Sequence, residues 1–232
     1  MSVEGVATGS RRSATMSTNR WGGVAGVLFP VLLLAGWAMA PTPPEATTSP
    51  SQVLDYFTAN SEGVLRQTFV AGFLEALVLL FFIGGVWNFL RSAEGETAGF
   101  SSVAFAAGLA IFPGFVALAA THAGLARVPA DADAEMVWTI WRVSTYADLA
   151  TTWIIAVFIG AVTIAALSSR AFPRWLLWLG AVACAGQLVM GTDVFLKSAS
   201  ISQDSMFGMT MLVLFTIWVV SVGIVMLRRK EP

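Results

Sequence analysis

Cysteine and histidine are almost missing from the sequence, which has Cys184 and His122 as the single residue of each type among 232. One cysteine excludes an intrachain disulfide, and a thiol inside an apolar run is ordinarily inert packing. A catalytic zinc site normally uses more than one histidine. Paired metal-binding histidines and the Walker A, G-x-S-x-G and C-x-x-C motifs are also missing. We therefore expect no metal or other cofactor and do not favour an enzyme.

Charged residues are also scarce in the sequence. Lys, Arg, Asp and Glu make up 12% of the chain, against about 25% in ordinary soluble domains. Hydrophobic residues make up 56%, and the mean hydropathy is +0.75. So few polar side chains cannot cover a soluble surface, and we expect a lipid bilayer as the partner of this chain. The net charge of −1 gives no reason to expect a nucleic acid.

Long apolar segments are what the sequence has in abundance. Six of them reach the length of about 20 residues that a membrane-crossing helix needs, at 21–40, 66–90, 100–122, 143–167, 175–196 and 206–227. They predict an all-α, polytopic transmembrane helix bundle over residues 21–227. The polar residues 1–20 predict a disordered cytoplasmic tail, and residues 228–232 form a short basic cytoplasmic tail.

The first segment has a second interpretation. Arg20, the apolar stretch and Ala38-Met39-Ala40 resemble a signal peptide with a small-residue cleavage site. Pro41 is a poor residue to follow a cut, and the segment is long enough to span, so we favour a retained helix. Met16 is an alternative start of the chain.

Basic residues beside the segments predict the orientation, because short loops rich in Lys and Arg stay in the cytoplasm. With the amino terminus inside, the outer side carries only Arg66, Arg127, Arg142 and Lys197. The inner side carries the other basic residues, which are Arg11, Arg12, Arg20, Arg91, Arg170, Arg174, Arg228, Arg229 and Lys230. Both termini are therefore predicted to be cytoplasmic, with the chain in the plasma (inner) membrane.

The two larger outer loops contain further helical signals. Val53, Leu54 and Phe57 share one helical face behind Ser51, a plausible N-cap, which predicts a short amphipathic helix on the outer surface. In the next outer loop, three acidic residues suit the first turn of a helix that continues into the fourth span: Asp131, Asp133 and Glu135.

Small residues recur at four-residue spacing in several segments. Such spacing lets helices approach closely, either within the bundle or in a dimer, so a homo-oligomer or another membrane protein is a possible partner. The pairs are Gly22 and Gly26, Ala104 and Gly108, Ala156 and Gly160, and Gly180 and Cys184.

The polar side chains inside the segments are the candidate site residues. Ionisable groups in hydrocarbon are costly and usually face the bundle interior. All of them fall in the outer half of the membrane, which predicts a polar pocket open to the outside and lined by helices two to five. The candidates for a ligand or proton site are Glu75, His122, Arg142, Asp148 and Asp193, with Tyr146 and Gln187 as polar neighbours.

Glu75 is the strongest of these candidates. It lies roughly 13 Å below Arg66 along the helix axis, and its sequence neighbours provide no partner. It is either protonated or paired with a cation such as Arg142, and its role is either ligand binding or a structural link between helices. His122 is a candidate metal ligand, although no second histidine supports it, and Asp193 is expected to be solvated at its helix end.

Arg142 and Tyr146 lie one turn apart and allow two roles. Together they suit an anionic group of a ligand, or they anchor the helix end at the lipid headgroups. Anchoring is the more common role of such residues, and we favour it here.

Three short motifs resemble a known group of proteins. They are Trp21-Gly22-Gly23-Val24-Ala25-Gly26, Ser49-Pro50-Ser51-Gln52-Val53-Leu54-Asp55-Tyr56-Phe57 and Phe172-Pro173-Arg174-Trp175-Leu176-Leu177-Trp178-Leu179-Gly180. The chain is similar over nearly its whole length to uncharacterised actinobacterial multi-pass membrane proteins of a domain-of-unknown-function type, with about six helices. That resemblance implies the topology and assigns no activity or catalytic residue.

Three functional hypotheses follow from these features. We favour a binding, accessory or structural membrane component with an outward-facing polar pocket. The first alternative is a small transporter or channel that uses Glu75 as a substrate or proton site. The second is an intramembrane metal-dependent enzyme that uses His122 with Asp193 or Glu75.

Overall fold

The computed structural model describes residues 7–45, 48–95, 99–196, 200–203 and 205–228, with side chains from Asn19 onward. Within these residues the chain is helical and has no strand. The fifth span consists of Arg174–Gly191 and, after Thr192, a further turn at Asp193–Leu196. The helices are α1 (Ala7–Trp37), α2 (Pro50–Ala59), α3 (Ser61–Glu94), α4 (Phe100–Leu125), α5 (Ala134–Ser168), α6 (Arg174–Leu196) and α7 (Met206–Arg228).

All of these helices except α2 are long and apolar enough to cross a membrane, which confirms the predicted six-helix transmembrane bundle. Large apolar side chains such as Phe81, Val143 and Trp178 are exposed on its outside, as expected where lipid is the solvent. Residues 7–20 belong to α1, whereas the sequence predicted a disordered tail there. Residues 1–6 and 229–232 lie outside the described part of the chain.

The six spanning helices pack as a closed ring in the order α1, α3, α4, α5, α6 and α7, with α7 returning to α1. Phe82 of α3 reaches across the ring to Phe158 of α5, with ring centroids 6.5 Å apart. An even number of spans places both ends of the bundle's chain on one side. We call that side the termini side and the opposite side, where α2 lies, the cap side.

Small residues bring the helices together within the bundle. A Cβ on Gly22 of α1 would lie 2.6 Å from the Cα of Gly85 on α3. Gly108 of α4 packs on Ile83 of α3 in the same way. These glycines therefore contact neighbouring helices of the same chain. Close packing within the bundle is one of the two roles that their spacing allowed.

The cap side is covered by α2. Val53, Leu54 and Phe57 are buried on one face, which confirms the predicted amphipathic helix. Its N-cap is Ser49 and not Ser51, because Pro50 takes the first helical position, where a missing N–H costs nothing. The face packs in an apolar cluster, here called the cap cluster, that consists of Val53, Leu54, Phe57, Val64, Leu125, Ala126, Val137 and Trp141.

The start of α5 is fixed by a side-chain cap. The Asp133 carboxylate accepts hydrogen bonds from the backbone N–H groups of Glu135 and Met136, at 3.0 and 3.4 Å. Asp133 thereby satisfies two of the donors that a helix start leaves open. The acidic helix start predicted from the sequence is confirmed for Asp133, which is the N-cap, and for Glu135 in the first turn, whereas Asp131 precedes the helix.

Candidate functional site

The predicted site residues all lie in the half of the bundle nearer the cap side. Their helices are α3 for one of them, α4 for one, α5 for three and α6 for two. The structure brings His122, Arg142 and Tyr146 into contact with aromatic rings and Asp148 into contact with an amide side chain. They are Glu75, His122, Arg142, Tyr146, Asp148, Gln187 and Asp193.

Glu75 is buried in the bundle core, with 1% of its surface exposed. Among the described residues, neither a cation nor a hydrogen-bond donor reaches its carboxyl group. Regular helix connects it to Phe82 two turns further on, and residues at that separation share a face. Since Phe82 contacts Phe158, Glu75 faces the same side of α3, toward α5.

The segment before Glu75 is π-helical, from Thr68 to Leu74. Single π-helical turns are rare inside α-helices and occur frequently at functional sites. The neighbours press closely against this segment, because a Cβ on Gly72 would lie 2.6 Å from the Cβ of Ala119 on α4. The π-helical segment thus packs against α4 and ends directly before Glu75 with its buried carboxyl group.

Arg142 does not pair with Glu75. Its guanidinium carbon lies 4.4 Å from the ring centroid of Trp138 and 5.8 Å from that of Tyr146, one turn away on each side along α5. A cation over an aromatic face is attracted by the ring quadrupole. The contact of Arg142 with Tyr146 was expected from their spacing, whereas Trp138 was missed, although its i−4 position gives the same signal.

His122 lies in an aromatic cluster under α2. Its ring centroid is 5.1 Å from that of Trp141 and 6.3 Å from that of Phe57. His122 Nε2 and Trp141 Nε1 are both buried and have no hydrogen-bond partner among the described residues. The loop above is held by Trp138 Nε1, which donates to the carbonyl of Thr48 at 2.8 Å.

Tyr56 closes the same region from α2. Its hydroxyl donates to the carbonyl of Pro41 at 2.9 Å. Burial raises the pKa of Tyr56 above its ordinary value, so the hydroxyl keeps its proton and this bond near neutral pH. The loop before α2 is thus held near its start by Tyr56 of α2 and near its end by Trp138 of α5.

Asp148 is half-buried on α5, at a groove between α4 and α5. Gln203, in the segment between α6 and α7, donates from its Nε2 to Asp148 Oδ2 at 3.0 Å. No described basic side chain lies within ion-pair distance of Asp148. Gln203 was missed by the sequence analysis, because a contact between residues so far apart leaves no local pattern.

Gln187 and Asp193 are both buried on α6. Gln187 is 3% exposed, and its Oε1 has no hydrogen-bond partner among the described residues. Asp193 is 8% exposed at the start of the last turn of α6, so the expectation that it is solvated is wrong. Both side chains point into protein, although they do not join Glu75 in a described contact.

The described residues contain no group of three His, Cys, Asp or Glu side chains that could hold a metal ion. His122 has aromatic rings and not carboxylates as its recorded contacts. The arrangement therefore provides no ligand set for the metal-dependent alternative within that part of the chain. What it provides is two buried carboxyl groups, those of Glu75 and Asp193, and a half-buried one, that of Asp148, at a groove.

Comparisons with protein-family models, with curated proteins and with solved structures find no match. The chain is an all-α bundle of six membrane-spanning helices with its buried carboxyl groups in the half nearer the cap side.

Proposed function

We propose that this protein is a plasma-membrane binding component with a polar pocket that opens toward the outside, on the cap side of the bundle. Glu75 is the observation that carries the proposal, because its carboxyl group is buried and has no described partner. A buried polar group left unpaired costs about 1–3 kcal/mol of stability. Local features that cost stability without compensation are expected at functional sites.

The carboxyl group of Glu75 suits a ligand that donates hydrogen bonds to it. A carboxylate accepts hydrogen bonds from a cation or an N–H group, and a protonated carboxyl also carries a proton for exchange. Gln187 supplies a second buried oxygen without a described partner in the same half of the bundle. A solute with hydrogen-bond donors would satisfy either group.

The location of the protein belongs to the same proposal. The bias of basic residues favours cytoplasmic termini and an outward cap side. The resemblance to actinobacterial multi-pass proteins supports the plasma membrane. We propose the bilayer as its surroundings, with a second copy or another membrane protein as a possible partner.

Cysteine labelling tests the pocket directly. In a Cys184→Ala background, Glu75→Cys and Leu79→Cys place a thiol at two positions that are equally buried, one turn apart. Each variant is treated from outside the cell with a small charged methanethiosulfonate. The proposal expects Glu75→Cys to react and Leu79→Cys to resist. If neither thiol reacts, the pocket does not open to Glu75 and its role is structural.

Transport is the second candidate function, and the π-helical segment favours it. Single π-helical turns occur frequently at functional sites, and this one ends directly before Glu75. Under this alternative both thiols react, because a water path continues past Glu75. Glu75→Gln would then abolish a proton or cation flux in proteoliposomes while expression and folding stay normal.

A further inference from the structure

A groove between α4 and α5 is separate from the buried Glu75. Its volume is about 400 Å³, and small or apolar side chains such as Ala117, Leu118 and Val143 form most of its wall. The α5 side of the groove extends from Thr139 to Thr151, which is about 18 Å along the helix axis. An extended chain of about a dozen methylenes has a comparable length.

The polar groups of this groove are mainly acceptors. Thr121, Ser144 and Thr151 each donate their hydroxyl proton to a carbonyl three or four residues earlier in their own helix. Their oxygens keep lone pairs but have no proton left for a ligand. Among the described hydroxyl groups of the groove only that of Thr139 has an uncommitted proton, so a ligand beside Asp148, Ser144 or Thr151 must supply the donors.

Asp148 is the one ionisable residue among the described residues that line the groove. Gln203 Nε2 donates a hydrogen bond to Asp148 Oδ2 at 3.0 Å. Asp148 Oδ1 accepts no hydrogen bond from the described residues. No described arginine or lysine neutralises it. A carboxyl group with an unused oxygen in a largely apolar groove is complementary to an N–H⁺ donor attached to an apolar body.

We propose that the α4–α5 groove binds a lipophilic primary amine, with its ammonium group on Asp148 and its alkyl chain along the groove. This inference goes beyond the binding role proposed above, because it rests on the groove and not on Glu75. The two proposals can therefore fail separately. Glu75→Gln is expected to leave amine binding unchanged.

The test measures binding of dodecylamine to the full chain in phosphatidylcholine nanodiscs by calorimetry, with empty nanodiscs subtracted. Phosphatidylcholine has no N–H group and does not compete for Asp148. Saturable binding is expected, weakened roughly tenfold or more by Asp148→Asn through loss of a charge-assisted hydrogen bond. Dodecyltrimethylammonium and dodecanol are expected to bind to the wild-type chain no more tightly than dodecylamine binds to the Asp148→Asn variant.

Two further variants keep the test decisive if Asp148→Asn does not fold. Ala117→Phe fills the groove without changing its carboxyl group and should abolish binding, whereas Ala185→Phe adds the same ring at an exposed position of α6 and should not. The proposal is overturned if dodecylamine only partitions as it does into empty nanodiscs. It is equally overturned if the trimethylammonium analogue binds as tightly as the amine, or if both phenylalanine variants behave alike.

Discussion

Replacing Glu75 by methionine should stabilise the protein. The side chain is 1% exposed and has no described partner, so its carboxyl group loses water on folding and gains nothing in return. An unsatisfied buried polar group costs about 1–3 kcal/mol. Methionine has a similar length and an adaptable apolar side chain, so Glu75→Met should recover a comparable amount. A gain of about 1.4 kcal/mol would raise the folding equilibrium constant roughly tenfold.

The measurement is reversible unfolding by dodecyl sulfate in lipid–detergent micelles, followed through the nine tryptophans. Leu79→Ala is the matched control one turn away, because Leu79 is equally buried but apolar. It should lose about 2–5 kcal/mol through a cavity. Glu75→Gln should change stability little, since it retains a polar group at the same place.

The opposite result for Glu75→Met would refute the reasoning. A structural carboxyl group that links helices would leave its partner unpaired when removed, and the variant would lose about 1 kcal/mol or more. A gain in stability together with a loss of binding or flux would identify Glu75 as a residue kept for function at a cost in stability.

Three other changes have clear expectations. Gly85→Ala should destabilise the bundle by roughly 1–3 kcal/mol in the same unfolding assay, because the added Cβ would lie 2.5 Å from the Cα of Gly22. Gly84→Ala is the control and should be neutral, because a Cβ at that position has no atom within 4 Å. Asp133→Ala should cost about 1 kcal/mol through the lost N-cap and speed amide exchange in the first turn of α5, whereas serine at that position should restore both. Phe57→Ala should detach α2 and expose its chain to protease, since the ring is 1% exposed in the cap cluster; protection unchanged from wild type would contradict that packing.

Hydropathy predicted the fold well, because a spanning helix must satisfy its own backbone and therefore has a long apolar sequence. The amphipathic face of α2 and the acidic start of α5 were also readable, since both depend on residues within one or two turns of each other. The membrane segment predicted at 143–167 covers only part of α5, and residues 134–142 form the preceding turns that the acidic residues had predicted to continue into it.

The arrangement of the site was much less predictable. The sequence identifies Glu75 as polar in an apolar run, but whether Arg142 reaches it depends on helix rotation, which hydropathy does not determine. The π-helical turn before Glu75 has no recognisable composition. The contact of Gln203 with Asp148 joins two distant parts of the chain and required the three-dimensional structure.

The lengths of α3 and α5 explain why the polar side chains gather near the cap side. These helices have 34 and 35 residues, about 50 Å each, whereas the hydrocarbon layer is about 30 Å thick. Measured from their ends on the termini side, Glu75 and Asp148 each lie about 30 Å along the axis, at the far edge of that layer. The remaining turns and α2 cover this edge with protein where lipid headgroups and water would otherwise lie. Glu75 is therefore buried and Asp148 half-buried close to the depth at which the hydrocarbon ends, so a ligand that arrives from the cap side would have to pass only the turns above them.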